Sequence, residues 1–596
     1  MKDLEKSKWI VIAEYAFVVV VILFFLYLVF HLGDSQLSVY PFNYTRGGDG
    51  LTGMVTVKSM WENGLMYENP RLGVPNGVEN YDATTMELFL NGMEQLLVWT
   101  TRGNWVLAFN LFYLSGYLLA GLTAYYALKQ LNISGIIAAP TAVLYAFAPY
   151  HQMRGTEHLF LGMYFMVPIM VLYLYRLMKG EVLFQKGEKG WITKPNIIRL
   201  LTLMIMALTG IYYTFFICFF LCVVILYCLL NQEPKQKRNS NSMRNVRQAF
   251  FSLGVVVVTL LFSALPNFIY WMRNGMPQSA PKGGEGAELY ALKIVQLLLP
   301  ISNHRLDFFS RVRNFYDTAY PLVNENGSAS LGIFMAIGFV ILCLTLFARR
   351  RIPEKSNLQV GSILTLSVLL FGTVGGFASV LSFFSGAIRC YNRFSIFIAM
   401  FSLIAIDSVI EKIKVKWFEK KSWTKLIFAG VMIGLMLCGI FDQTVSVDSS
   451  VYAQAKQLFC EDAEFIQNIE LAEGEGVMIY QLPYMYYPEN GGIQQMTDYA
   501  HMVGYLHSDT LRWSYGAPVG REGDQWMAAV NELPFQEQIV TIQAAGFSGI
   551  YIDWNAYLED ERIVMEEIIA REIGTEPIVD ATETRVYYSF GEGVAN

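Results

Sequence analysis

Residues 9–30, WIVIAEYAFVVVVILFFLYLVF, form an apolar run of 22 residues with a single charged side chain, Glu14. At 1.5 Å per residue such a run is long enough to cross the hydrocarbon core of a bilayer. Comparable runs recur at 105–128, 159–177, 248–271, 332–347, 361–384, 394–410 and 426–441, with a shorter one at 136–149. The stretch 197–230 is too long for one crossing, and Gly210-Ile211-Tyr212-Tyr213-Thr214 divides it into two short helices of a tight hairpin. The pattern predicts eleven spans. Backbone groups in hydrocarbon must be paired internally, so a chain built this way folds as a helical bundle. Composition agrees, with 16% charged residues where soluble proteins carry about 25%. The expected fold class is a mainly α-helical polytopic membrane protein with about eleven transmembrane helices, followed by a small α/β domain. The first run lacks a small-residue cleavage site, so it reads as a span and not as a removable signal.

Lysines and arginines set the orientation. Residues 176–194 hold five, 235–247 five, 349–355 four and 412–425 six, whereas 35–104 holds four in 70 residues. The basic loops are therefore expected in the cytoplasm, with the N-terminus. The first loop (32–104), the loop 272–331 and the C-terminal part fall on the outer side of a cytoplasmic membrane. Residues 1–444 then form the membrane domain and 445–596 an extracytoplasmic one. Within the latter, strand-like pieces (476–482, 549–552, 586–590) alternate with helical ones (462–471, 526–531, 560–573). From Val445 onward there are 6 Lys+Arg against 25 Asp+Glu. Such a tail repels phosphate, which excludes nucleic acid as a partner. The seven cysteines show no metal-ligand or disulfide-framework spacing and read as core residues.

Three polar constellations at the outer ends of spans carry the chemistry. The first is Gly47-Gly48-Asp49-Gly50, just past the first span. Glycine and aspartate suit a turn for backbone reasons alone. A carboxylate at the membrane boundary also suits a general base that takes a proton from an acceptor hydroxyl, with glycines letting substrate approach the backbone. An amphipathic segment, 51–60, follows and is expected to lie on the membrane surface. Asp82 is the second carboxylate of this loop, read either as a site residue or as a tie within the loop.

The second constellation is Pro149-Tyr150-His151-Gln152-Met153-Arg154-Gly155-Thr156-Glu157-His158. Ionisable groups this close to hydrocarbon are costly and point to function. His151, Arg154, Glu157 and His158 are expected to line a donor or acceptor pocket. The histidines and Glu157 are also ligand types for a divalent metal, although their spacing is irregular. The third is Arg389-Cys390-Tyr391-Asn392-Arg393, where two arginines four apart share one helical face. Paired guanidiniums grip a phosphate and stabilise the charge of a departing phosphate ester. In the tail, the aromatic run 511–516 with His501 and His507 reads either as a site for an acceptor glycan or as packing.

The order of these features resembles the GT-C superfamily of membrane glycosyltransferases that use polyprenyl-phosphate sugars. Within it, Gly48-Asp49-Gly50, Leu72-Gly73-Val74-Pro75-Asn76-Gly77 with Asp82, the 149–158 segment, and 480–484, 511–516 and 546–553 in the tail resemble the bacterial YfhO-like group. The resemblance implies Asp49 as catalytic base and Arg389 and Arg393 as donor-phosphate ligands. It implies a lipid-linked sugar as donor and a cell-surface glycan or glycolipid as acceptor, with inversion at the anomeric carbon. The first loop lacks the Asp-x-Asp pair that some members use with a metal. Two other readings stay open at this point: a transporter or flippase of lipid-linked sugars, and a non-catalytic envelope-assembly protein.

Overall fold

The computed structural model describes residues 2–64, 67–83, 87–188, 190–231, 241–278, 284–348, 351–418, 421–445 and 449–591. Basic positions 189, 235, 237, 238, 349, 350 and 420 of the expected cytoplasmic loops lie outside them. Among the described residues seven helices are long and apolar enough to cross a membrane: Lys8–Val29, Trp105–Gln130, Leu159–Lys179, Ile211–Leu230, Met243–Ser263, Tyr391–Trp417 and Ser422–Gln443. Gly332–Phe347 and Asn357–Gly372 are shorter apolar helices. The other two expected crossings are Gly135–Ala146 and Lys194–Ala207, helices of 12 and 14 residues. The chain is a multi-pass, mainly helical membrane protein.

Two boundaries differ from the sequence expectation for local reasons. The run 248–271 breaks at Ala264, and a second helix, Leu265–Asn274, starts there with a proline in its first turn, where the missing N–H costs nothing. The run 361–384 breaks after Gly372, where Gly375 (φ +71°) turns the chain before a short helix, Ala378–Ser382.

The segment expected on the membrane surface is inside the protein instead. It forms the helix Gly48–Asn63, whose Leu51, Met54, Val55 and Val57 are buried. Their partners are the helices Leu88–Thr100, Trp105–Gln130 and Met502–His507. The C-terminal part covers this helix, so its apolar face meets protein rather than lipid.

Strands β1 (Glu68–Asn69) and β2 (Val78–Glu79) form a small antiparallel hairpin in the first loop. The C-terminal part carries β3 (Met478–Leu482), β4 (Arg512–Trp513), β5 (Phe547–Asp553), β6 (Ile578–Val579) and β7 (Arg585–Ser589), in sheet order β4-β3-β5-β7-β6. β3 runs parallel to β4 and β5, while β7 is antiparallel to β5 and β6. The first loop extends this sheet: Leu72 bridges Trp513 in parallel, and Val74 N–H donates to the Trp513 carbonyl at 3.2 Å.

A buried polar seam joins loop and cap. Asp462, on the helix Ser449–Glu473, is fully buried and accepts from Tyr44 Oη at 2.7 Å, from Arg46 Nε at 2.8 Å and from Arg585. Arg585 also donates to Asp580 at 2.9 Å. Lys58, 5% exposed, spreads its ammonium over the carbonyls of Tyr505, Leu506 and Ser508 at 3.1, 3.0 and 2.6 Å. Buried charges persist only when paired and hydrogen-bonded in this way.

Candidate functional site

The Gly-Gly-Asp-Gly turn is shaped by what presses against it. Gly48, at φ +77°, donates its N–H to the Asp498 carbonyl at 2.9 Å and opens the helix Gly48–Asn63. A Cβ on Gly47 would lie 2.1 Å from Thr497 Oγ1. On Gly48 or Gly50 it would lie 2.8 Å from a Glu157 carboxylate oxygen. Glu157 Oε2 accepts the Gly50 N–H at 2.9 Å, so it caps the free amides of this helix end. The room that the glycines leave is thus filled by Glu157 and the 497–498 segment, where the sequence suggested substrate. Asp49 is the one member of the four with a side chain, and it is exposed to a cavity.

That cavity measures about 580 Å³. Asp49, Thr52 and Thr56 line it from the first helix of the loop, Glu157 and His158 from the second constellation, and Arg389 and Arg393 from the third. Tyr212, Tyr290, Glu325 and Glu489 add to the polar wall. The cavity walls strip part of the solvent from Asp49, and Glu157, Glu489 and Asp498 add negative potential. Together they raise its pKa from the ordinary aspartate value, against a smaller lowering by Arg393. Among the described residues the Asp49 carboxylate has no hydrogen-bond or ion-pair partner.

The two arginines are under-paired as well. Arg389 and Arg393 do not share a helical face: Tyr391–Phe394 is a 3-10 turn and the α-helix begins only at Ser395. The i, i+4 rule holds only inside an α-helix, and here a loop delivers both side chains. The Arg393 guanidinium lies 4.1 Å from the Tyr212 ring centroid and that of Arg389 5.7 Å from Tyr290. Arg393 Nε is 3.8 Å from Glu325 Oε1 and has no hydrogen bond.

Glu325 went unnoticed in the sequence, inside Asn324-Glu325-Asn326-Gly327-Ser328, a stretch that reads as a glycosylation sequon. It is the hub of one wall. Arg154 pairs with it, Asn392 Nδ2 donates to it at 3.1 Å, and His158 Nε2 lies 3.6 Å away. Burial alone would raise its pKa, but Arg154, Arg393 and these hydrogen bonds outweigh burial and hold it at about 2. His158 is pushed down to about 4, first by burial and then by Arg154, so it is neutral at pH 7. Two further carboxyls of the wall come from the neighbourhood of the helix Leu88–Thr100. Burial raises Glu87 to about 7, partly offset by the Ile211 N–H it accepts, and raises Glu94 well above the carboxyl range. Only their tertiary burial makes them distinctive.

Three expected site residues stand elsewhere. Asp82 accepts two 2.6 Å hydrogen bonds from Arg521 and one of 3.1 Å from Trp271, tying the first loop to the cap. His151 is fully buried and stacks on Tyr117 at 3.5 Å, so it is a packing residue behind the cavity. Arg154 is buried and committed to Glu325. The tail run 511–516 is packed too: Trp513 is fully buried, and His501 and His507 are buried beside it. Among the described residues no three His, Cys, Asp or Glu side chains are grouped as a metal ion requires.

The helical membrane domain, with loops and an α/β cap that enclose a polar cavity, has a fold similar to that of solved glycosyltransferase structures. Two solved structures of the arabinofuranosyltransferase AftD from Mycobacteria, one of them a mutant, are similar to this chain at TM-scores of 0.50 and 0.53 and 11% identity. They cover 97% of this chain but 40% and 41% of AftD, so the chain spans about two fifths of that protein's length. The archaeal oligosaccharyltransferase AglB from Archaeoglobus fulgidus, solved with an inhibitory peptide and a dolichol-phosphate, matches at TM-score 0.41 and 12% identity, over 88% of this chain and 68% of AglB. No protein-family model and no curated protein matches the chain. At these identities the likeness is one of fold.

Proposed function

We propose that the chain is a membrane glycosyltransferase. It moves a sugar from a polyprenyl-phosphate carrier to a cell-envelope polymer or glycolipid at the outer face of a bacterial cytoplasmic membrane. Its N-terminus and basic loops are cytoplasmic, and residues 445–596 form the extracytoplasmic cap. On the sequence motifs we group it with the YfhO-like proteins. One observation carries the reading: an under-paired carboxylate, Asp49, and two under-paired guanidiniums, Arg389 and Arg393, line the same cavity.

The chemistry follows from those three groups. Asp49 accepts the proton of the acceptor hydroxyl, and its raised pKa makes it a stronger base. The acceptor oxygen bonds to the anomeric carbon as the bond from that carbon to the phosphate oxygen breaks. The electron pair leaves on the lipid phosphate, whose charge Arg389 and Arg393 neutralise. Attack opposite the leaving group inverts the anomeric carbon. Neutral His158 supplies hydrogen bonds to sugar hydroxyls, while Glu157 and the Arg154–Glu325 pair hold Asp49 and Arg393 in place.

Mass spectrometry of surface glycans tests this in cells that lack the protein and receive either wild type or Asp49→Asn. Wild type restores a missing glycan; the variant reaches the membrane at the same level and does not. Unchanged surface glycans on deletion would dismiss the function, and full restoration by the variant would dismiss Asp49 as base.

A further inference from the structure

A second cavity, of about 630 Å³, lies between the helices Lys194–Ala207 and Asn241–Ser263, beside Phe184, Trp191 and Ile192. The helix Lys194–Ala207 is about 21 Å long at 1.5 Å per residue. Its far end leads through 208–210 to Ile211, which lines the cavity of Asp49. The two cavities therefore sit at opposite ends of this helix.

Its walls have two characters. Trp191, Ile192, Ile197, Leu200 and Phe251 make it apolar, and Ile192 is 84% exposed. Side chains of this kind in a row are stable only beside lipid or a partner, and tryptophan favours the membrane–water boundary. On one flank stand Arg244 and Arg247. Arg244 makes one long contact, Nη2 to the Gly180 carbonyl at 3.4 Å, and its Nε is buried with no hydrogen bond. Arg247 is exposed and has no ion pair or hydrogen bond among the described residues. Of the nearby carboxylates, Glu181 pairs with Arg176 at 3.5 Å and Glu188 does not line the cavity. Among the described residues the slot is thus apolar on one side and carries unneutralised positive charge on the other.

We propose that this cavity binds an anionic phospholipid of the leaflet on the basic-loop side. Its phosphate lies between Arg244 and Arg247 and its chains against Ile197, Leu200 and Phe251. Each basic group near a headgroup adds to the affinity for anionic over zwitterionic lipid, and a guanidinium fork matches a phosphate bidentately. The site is independent of the transfer chemistry and stands if that reading fails.

Native mass spectrometry of the full-length protein, delipidated in detergent and incubated with phosphatidylglycerol or phosphatidylcholine, tests it. Wild type should retain phosphatidylglycerol roughly tenfold over phosphatidylcholine. Arg244→Gln/Arg247→Gln should lose that preference, and Arg247→Gln alone, at an exposed position, should lose part of it. A control pair at exposed lysines, Lys421→Gln/Lys425→Gln, should keep it, and excess inorganic phosphate should leave the lipid bound. Equal retention of the two lipids by wild type, an undiminished preference in the double variant, or displacement by inorganic phosphate would each overturn the proposal.

Discussion

The seam around Asp462 and the cavity around Asp49 are built from the same residue types and differ in how their charges are satisfied. In the seam, Asp462 is fully buried and takes three hydrogen bonds, and Arg585 is shared between two carboxylates. In the cavity, Asp49 has no hydrogen-bond or ion-pair partner among the described residues and Arg389 and Arg393 lie mainly against aromatic faces, while Glu325 holds Arg154 and Asn392. A closed set of charges holds two parts of a chain together. A set with an unspent carboxylate and unspent guanidiniums is poised for a ligand that brings both a proton to lose and an anion to hold.

The difference breaks down if substitutions in the two regions have like effects. The largest expected effect is on transfer by Asp49→Asn, a fall of roughly 10²–10⁴-fold, with thermal unfolding in detergent moved by less than about 0.5 kcal/mol. Asp462→Ala should do the reverse. It takes one of two carboxylate partners from both Arg46 and Arg585, costs roughly 3 kcal/mol of stability, and leaves the molecules that stay folded active. Arg389→Gln should lower transfer about 10²-fold through loss of one charged donor, seen in turnover rather than in unfolding temperature.

The smallest effect concerns pH. Burial, then Lys58, Arg585 and Arg46, push His507 down to about 3, below the ordinary 6.5. The folded state then binds fewer protons than the unfolded one, so this contribution is present above pH 6.5 and is lost as pH falls toward 3. At pH 4.5 the loss is roughly 2–3 kcal/mol. His507→Gln should show a shallower decline in unfolding temperature between pH 7 and 4.5.

The membrane architecture was legible because apolar runs of span length have few other uses. Asp49, His158, Arg389 and Arg393 could be nominated from residue type and the side of the membrane on which they fall. What pairs with them could not, since Glu325 meets Arg154 across 171 positions and belongs to a stretch that looks like an ordinary loop. The three glycines around Asp49 suggested an open approach for substrate, yet the neighbour they admit, Glu157, is visible only once the chain is folded. The aromatic run 511–516 has the composition of a sugar site and is a core strand with its edge against the first loop. Composition states what a segment is able to touch, and packing decides what it does touch.

The most direct measurement is a cryo-EM structure of the protein in nanodiscs with a polyprenyl-phosphate sugar. Phosphate density is expected between Arg389 and Arg393, with the anomeric carbon facing Asp49 in the 580 Å³ cavity. Phosphate bound away from both arginines, with that cavity left to water, would contradict this reading.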